Sequence, residues 1–131
     1  MKKNIGFSLL EIMIALSIIG IIAALTLTNL RPYFITIHRQ TAAQTLSKLA
    51  VAMEEYQLTH GSYLGATLDG LAVSEVKTDA HYEYSLSVDN SFYTLRADPI
   101  STQQSDTCGS LILNAVGEKT VSGTSAAARC W

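Results

Sequence analysis

Residues 12–30 contain no charged side chain, and a single carboxylate, Glu11, stands at the head of this run. A helix rises 1.5 Å per residue, so these residues would span roughly 28 Å, close to the apolar thickness of a bilayer. Lys2 and Lys3 precede the run and one arginine, Arg31, follows it. The positive-inside tendency then places the start of the chain in the cytoplasm and everything beyond the run outside the inner membrane. From Arg31 onward the composition is that of an ordinary soluble protein. With 131 residues in all, the chain has room for one modest core. These features predict a single-pass, membrane-anchored protein with one small globular domain.

The two cysteines, Cys108 and Cys130, fit an oxidising compartment. Joined, they would close a loop of about 23 residues, worth about 3 kcal/mol in the chain-entropy view; the alternative is two free buried thiols. The formal charge of the chain is −2. Without Lys2 and Lys3, seven basic residues face eleven acidic ones, a net charge of −4. That balance argues against a broad nucleic-acid footprint, which calls for clustered basic side chains.

No A-x-A-like cleavage site follows the apolar run, as it would in a secretory signal. The informative glycine lies before the run, in KKNIG-FSLLE. This arrangement resembles the prepilin leader of type IV pilins: a short basic leader, a glycine, an aromatic residue, and a glutamate fifth in the mature chain. The resemblance implies cleavage between Gly6 and Phe7 by a prepilin peptidase on the cytoplasmic face, followed by N-methylation of Phe7. It divides the chain into a leader (1–6), an apolar membrane and assembly helix (7–31) and a globular domain (32–131).

The same resemblance gives Glu11 a role. Near a helix start an acidic side chain is favoured by the dipole and can reach the membrane interface. In a filament the apolar helices leave lipid and pack together, where an unpaired charge costs several kcal/mol. The amine of Phe7, with a free pKa near 8, is the expected partner, supplied by a neighbouring subunit. Phe7 and Glu11 are thus the expected assembly residues.

A long helix is predicted over residues 8–58, with Gly20 and Pro32 as its kink positions. Many type IV pilins carry the proline about four residues earlier, where this chain has Thr28. The family resemblance implies local melting between glycine and proline on assembly, here roughly residues 20–31. Beyond Pro32 the pattern becomes amphipathic: Ile35, Ala42, Leu46, Leu49, Met53 and Tyr56 form one stripe. Arg39, Gln40, Gln44, Lys48 and Glu55 take the other faces, and the helix is expected to stop at Thr59, His60 and Gly61.

Residues 61–80 read as a loop with a short helical turn near residues 68–73. HYEYSLSV then alternates Tyr82, Tyr84, Leu86 and Val88 on one face, and Asp89, Asn90 and Ser91 supply turn chemistry before FYTLRAD. After a loop opened by Asp98 and Pro99, residues 110–114 and 119–122 give two further strands. The fold class is α+β: a long N-terminal helix, half membrane-spanning and half amphipathic, packed on a three- to four-stranded antiparallel sheet. The cysteine-bounded C-terminal region resembles that of small type IVa pilins, minor ones included.

Catalysis has no foothold in the sequence: there is no nucleophile elbow, phosphate loop or carboxylate pair in a plausible cleft. His38, His60 and His81 lack zinc-site spacing and are expected at the surface. Asp89, Asp98 and Asp106 have no calcium-loop spacing and read as solvated turn residues. No cofactor or metal is expected. The resemblance implies a pilus subunit for motility, adhesion or DNA uptake, with a minor pilin favoured by the small domain. Its implied partners are other pilin subunits, the prepilin peptidase, an inner-membrane assembly platform and, before assembly, membrane lipid. The alternatives are a DNA-binding competence pilin and a type II secretion pseudopilin. DNA has little support among the cations Lys77, Arg96, Lys119 and Arg129.

Overall fold

The computed structural model describes residues 6–26 and 30–131. Lys2, Lys3 and residues 27–29, Thr28 and part of the stretch expected to melt among them, fall outside the described residues. The chain divides into two units, Met1–Phe34 and Ile35–Trp131.

In the first unit, α1 runs over Leu9–Thr26 and buries no residue within the chain. It is long and apolar enough to cross a membrane. Gly20 lies inside it, and beyond its own helix backbone nothing comes within 4 Å of the space a Cβ would take. The second helix, α2, spans Leu30–His60. Pro32 lies near its described start and has no backbone N–H to offer a preceding turn. Gly61, at φ +80°, ends α2 where the sequence predicts, its amide returning to the Gln57 carbonyl at 2.8 Å.

The second unit is a four-stranded antiparallel meander, β1-β2-β3-β4 in order, with the α2 stripe in its core. The strands are β1 (Tyr82–Val88), β2 (Tyr93–Pro99), β3 (Leu111–Asn114) and β4 (Lys119–Val121). Pleat alternation sends Tyr82 and Tyr84 of β1, Tyr93, Leu95 and Ala97 of β2, and Leu111 and Leu113 of β3 inward. They meet Ala42, Leu46, Leu49 and Met53, all of which have no exposed surface. Ile35 and Tyr56, at the ends of the predicted stripe, are only half-buried. The sequence places Pro99 in a loop, whereas it closes β2 opposite Tyr82. It is tolerated there because β3 pairs with β2 only from Thr94 to Ala97.

Three short helices complete the unit. Residues 68–72 form turns, and the short helix α3 comes later, at Glu75–Thr78. A 3₁₀ turn, Ser101–Ser105, follows β2, and α4 (Ala127–Cys130) ends the chain. Cys108 and Cys130 are joined, tying α4 to the segment entering β3.

Candidate functional site

Two regions bear on function, one in each unit. In the first, Ser8 precedes α1 and its carbonyl accepts the amides of Glu11 and Ile12 at 3.0 and 3.2 Å. The glutamate is thereby held in the first turn, among helix N–H groups that favour a negative charge. Phe7 and Glu11 are both exposed and border one shallow hollow with Ile12, Ala15 and Leu16. In the uncut chain the Phe7 nitrogen is a peptide amide; only cleavage after Gly6 would make it a cation. The structure therefore brings Phe7 and Glu11 to one side of the helix start, beside an apolar face that no described residue of this unit covers.

In the second unit the charged side chains are mostly committed. Arg39 is not on the solvated face that the periodicity gives it. Its guanidinium donates to both carboxylate oxygens of Asp106, at 2.7 and 2.9 Å. Asp106, read from the sequence as a solvated turn residue, is buried. It also accepts the Cys108 amide at 3.0 Å and the Gln103 amide group at 3.3 Å. Gln103 donates in turn to the Ile35 carbonyl of α2 at 2.8 Å. A carboxylate with this many donors can be buried ionised, and that is why the turn reading fails. Asp98 pairs with Arg96 at 2.7 Å, half-exposed, and Asp89 stays exposed at the β1–β2 turn.

Two of the three histidines also depart from expectation. His60 is exposed and stacks on Tyr56. His38 of α2 and His81, just before β1, are instead half-buried and stacked, with ring centroids 3.6 Å apart. Among the described residues no cluster of three or more potential metal ligands occurs.

Of the predicted cations, Lys77 pairs with Asp69 at 2.8 Å and Arg96 with Asp98. Lys48 is bridged to Glu75, whose carboxyl is pulled down to about 2 chiefly by that lysine. Lys119 lies 5.1 Å from the centre of the Trp131 ring, a cation–π distance. The indole N–H of Trp131 donates to the Thr120 carbonyl at 3.1 Å, fixing the ring against β4. Lys119 and Trp131 form one wall of an open groove whose other wall is the α2 face bearing Gln40, Gln44 and Lys48. The sequence puts Lys119 among scattered cations and Gln40, Gln44 and Lys48 on the outer faces of the helix; the folded unit brings them together with Trp131.

A family model described as type IV minor pilin ComP, DNA uptake sequence receptor, matches residues 31–112. The prokaryotic N-terminal methylation motif matches residues 1–27. The fold is similar to that of the Neisseria meningitidis non-core minor pilin PilV, with a TM-score of 0.59 at 26% identity over 72% of this chain and 92% of that one. It is also similar to a type IV pilin from Shewanella oneidensis, with a TM-score of 0.55 at 30% identity over 74% of this chain and 97% of that one. No curated protein matches the sequence.

Proposed function

Because the chain belongs to the ComP family of type IV minor pilins, we propose that it enters a surface filament through α1 and presents its globular unit to DNA. The observation that carries this reading is the presence on one chain of the methylation motif over residues 1–27 and the minor pilin match over residues 31–112. The family match favours a minor pilin over a secretion pseudopilin, and pilin families are structural rather than enzymatic.

The working sequence follows from the charges. The apolar α1 holds the precursor in the membrane, with Lys2 and Lys3 on the cytoplasmic side and residues 32–131 in the periplasm. The prepilin peptidase cuts between Gly6 and Phe7, and methylation of Phe7 follows. The leader lysines depart and a cationic amine appears two residues before α1. The assembly platform then moves α1 from lipid into the packed helices of the filament. There Glu11 meets the Phe7 amine of a neighbouring subunit, each charge relieving the other's desolvation.

For DNA the sequence-level objection of a negative net charge stands, so non-specific phosphate attraction is weak. Recognition must draw on geometry and stacking more than on summed charge. The groove of Gln40, Gln44, Lys48, Lys119 and Trp131 offers amide groups, ammonium groups and an indole face together. Fluorescence anisotropy with the full chain in detergent and duplex DNA tests this. We expect binding whose log–log salt slope is small, on the order of −1 to −2, as for one or two neutralised phosphates. Lys119→Ala and Trp131→Ala should weaken it several-fold without unfolding the chain. Absence of binding even at low salt would refute the DNA reading. Mass spectrometry of sheared filaments checks the pilin reading separately, the expected species being a minor component that begins at methylated Phe7.

A further inference from the structure

We propose that the His38–His81 stack is a proton-operated contact that holds the segment from α3 to the start of β1 against α2, and releases it on acidification.

The observations are geometric. The two rings lie at 3.6 Å with an interplanar angle of 26°, so they meet face to face. This contact suits two neutral imidazoles, or one neutral and one charged, and disfavours two cations. The rings present faces rather than convergent nitrogens, which favours a proton over a metal ion as the effector. They border a small pocket of about 290 Å³ whose other walls are Thr41, Glu75, Thr78, Asp79 and Ala80. Nδ1 of His81 is buried with no hydrogen-bond partner, so that ring holds its place by stacking more than by hydrogen bonding.

The surrounding charges do not neutralise a doubly protonated pair. On α2, Lys48 adds positive charge and is engaged with Glu75 of α3. Arg39, the next residue along, is bound to Asp106. The carboxylate that acts on His38, Asp79, has one oxygen accepting the amides of His81 and Tyr82, at 2.8 and 3.2 Å. Its other oxygen accepts the Tyr84 hydroxyl at 2.7 Å. The two tyrosines bound to Asp79 stay neutral in acid. Asp79 favours a first proton on the pair but is too committed to follow a second. Burial and the charge of His81 hold His38 below its ordinary value of 6.5, while Asp79 opposes them. A depressed folded value means that this stabilisation is complete above 6.5 and is lost as pH falls through the folded value. The freed segment leads into β1, an edge strand of the sheet, so its release would expose the pocket and the leading end of that edge.

The test uses the full chain in detergent with labelled histidine. The C2 proton signals of His38 and His81 are followed by NMR from pH 8 to 4.5, and amide exchange of residues 75–82 is measured in parallel. The same is done for His38→Phe and His81→Phe, which keep an aromatic ring but take no proton there. The expected result is two mutually dependent histidine titrations in the wild type. Exchange over residues 75–82 at pH 5 should clearly exceed that of His38→Phe at the same pH, because only the wild type gains a second proton in the contact. Independent titrations in the wild type would overturn the proposal, as would the same acid-induced exchange in His38→Phe. If one variant fails to fold, the other variant and the wild-type titration decide between the same outcomes.

Discussion

Arg39, in α2, and Asp106, 67 residues later and just before the disulfide, form an ion pair whose side chains retain 13% and 2% of their exposure. Through Gln103 and the Cys108 amide, the same carboxylate fixes the 3₁₀ turn and the start of the disulfide-closed region to the helix. Breaking one half leaves an uncompensated buried charge, which costs about 3–5 kcal/mol. Asp106→Ala is therefore expected to destabilise by that amount. The paired change Arg39→Met with Asp106→Leu should cost much less, since no charge is stranded. Thermal unfolding by circular dichroism, with both chains at equal concentration, measures the difference. Equal losses would mean that the hydrogen-bonded network rather than the stranded charge sets the cost.

The tyrosines of the core predict an alkaline limit to stability. Burial raises Tyr63, Tyr84 and Tyr93 above their ordinary value of 10, and pushes Tyr82 up to about 12. Glu54 adds to this for Tyr63 and Tyr93, accepting both hydroxyls at 3.0 and 3.2 Å. A raised folded value means that the contribution is fully present below pH 10 and is lost as pH rises through the folded values. Absorbance at 295 nm should show these four phenols ionising late, in step with loss of the far-ultraviolet signal. Smooth titration of all six tyrosines near pH 10 with the fold intact would contradict the packing described.

Gly123 sits where no side chain fits. A Cβ there would lie 2.1 Å from the Thr107 carbonyl oxygen and 2.5 Å from the Cys108 carbonyl carbon, both backbone atoms that cannot swing aside. Its amide also donates to the Cys108 carbonyl at 3.0 Å. Gly123→Ala should therefore cost at least the 1–3 kcal/mol typical of overpacking. Gly117→Ala provides a contrast: no atom crowds it, and its cost comes from φ +79° alone, about 1 kcal/mol. Denaturant midpoints for the two variants should fall in that order.

What could be read from the sequence was what repeats locally. Ala42, Leu46, Leu49 and Met53 announce a helix face by spacing, and Tyr82, Tyr84, Leu86 and Val88 announce a strand by alternation. The sequence predicts a turn near residues 68–73 but not α3, because four residues are too few to show a period. Asp106 and His81 depart from their local pattern for another reason. Each resembles a surface residue in its own neighbourhood, and becomes buried or stacked through a partner on α2 that no local pattern reveals. The leader and the position of Glu11 were legible as a motif. The DNA reading was not, because composition argues against it; it enters through the family match, and the groove beside Trp131 exists only once β4 and the disulfide are in place.

Glu11 offers the sharpest test of assembly. Within the described residues of its own unit it is exposed, and α1 buries nothing. Removing the carboxylate should therefore change little about the isolated subunit. Glu11→Ala and Glu11→Gln are expected to insert in membranes, be cut after Gly6 and show unchanged thermal unfolding of the globular unit. On the proposed pairing, the loss in the filament would fall on the neighbour, whose Phe7 amine would be left unpaired among apolar helices. At a cost of several kcal/mol per subunit, incorporation should drop by at least tenfold. Immunoblots of sheared filaments against membrane fractions read that ratio directly. Glu11→Asp, which keeps the charge on a shorter arm, should recover part of the loss; equal failure of Asp and Ala would show that reach, not charge alone, sets the contact.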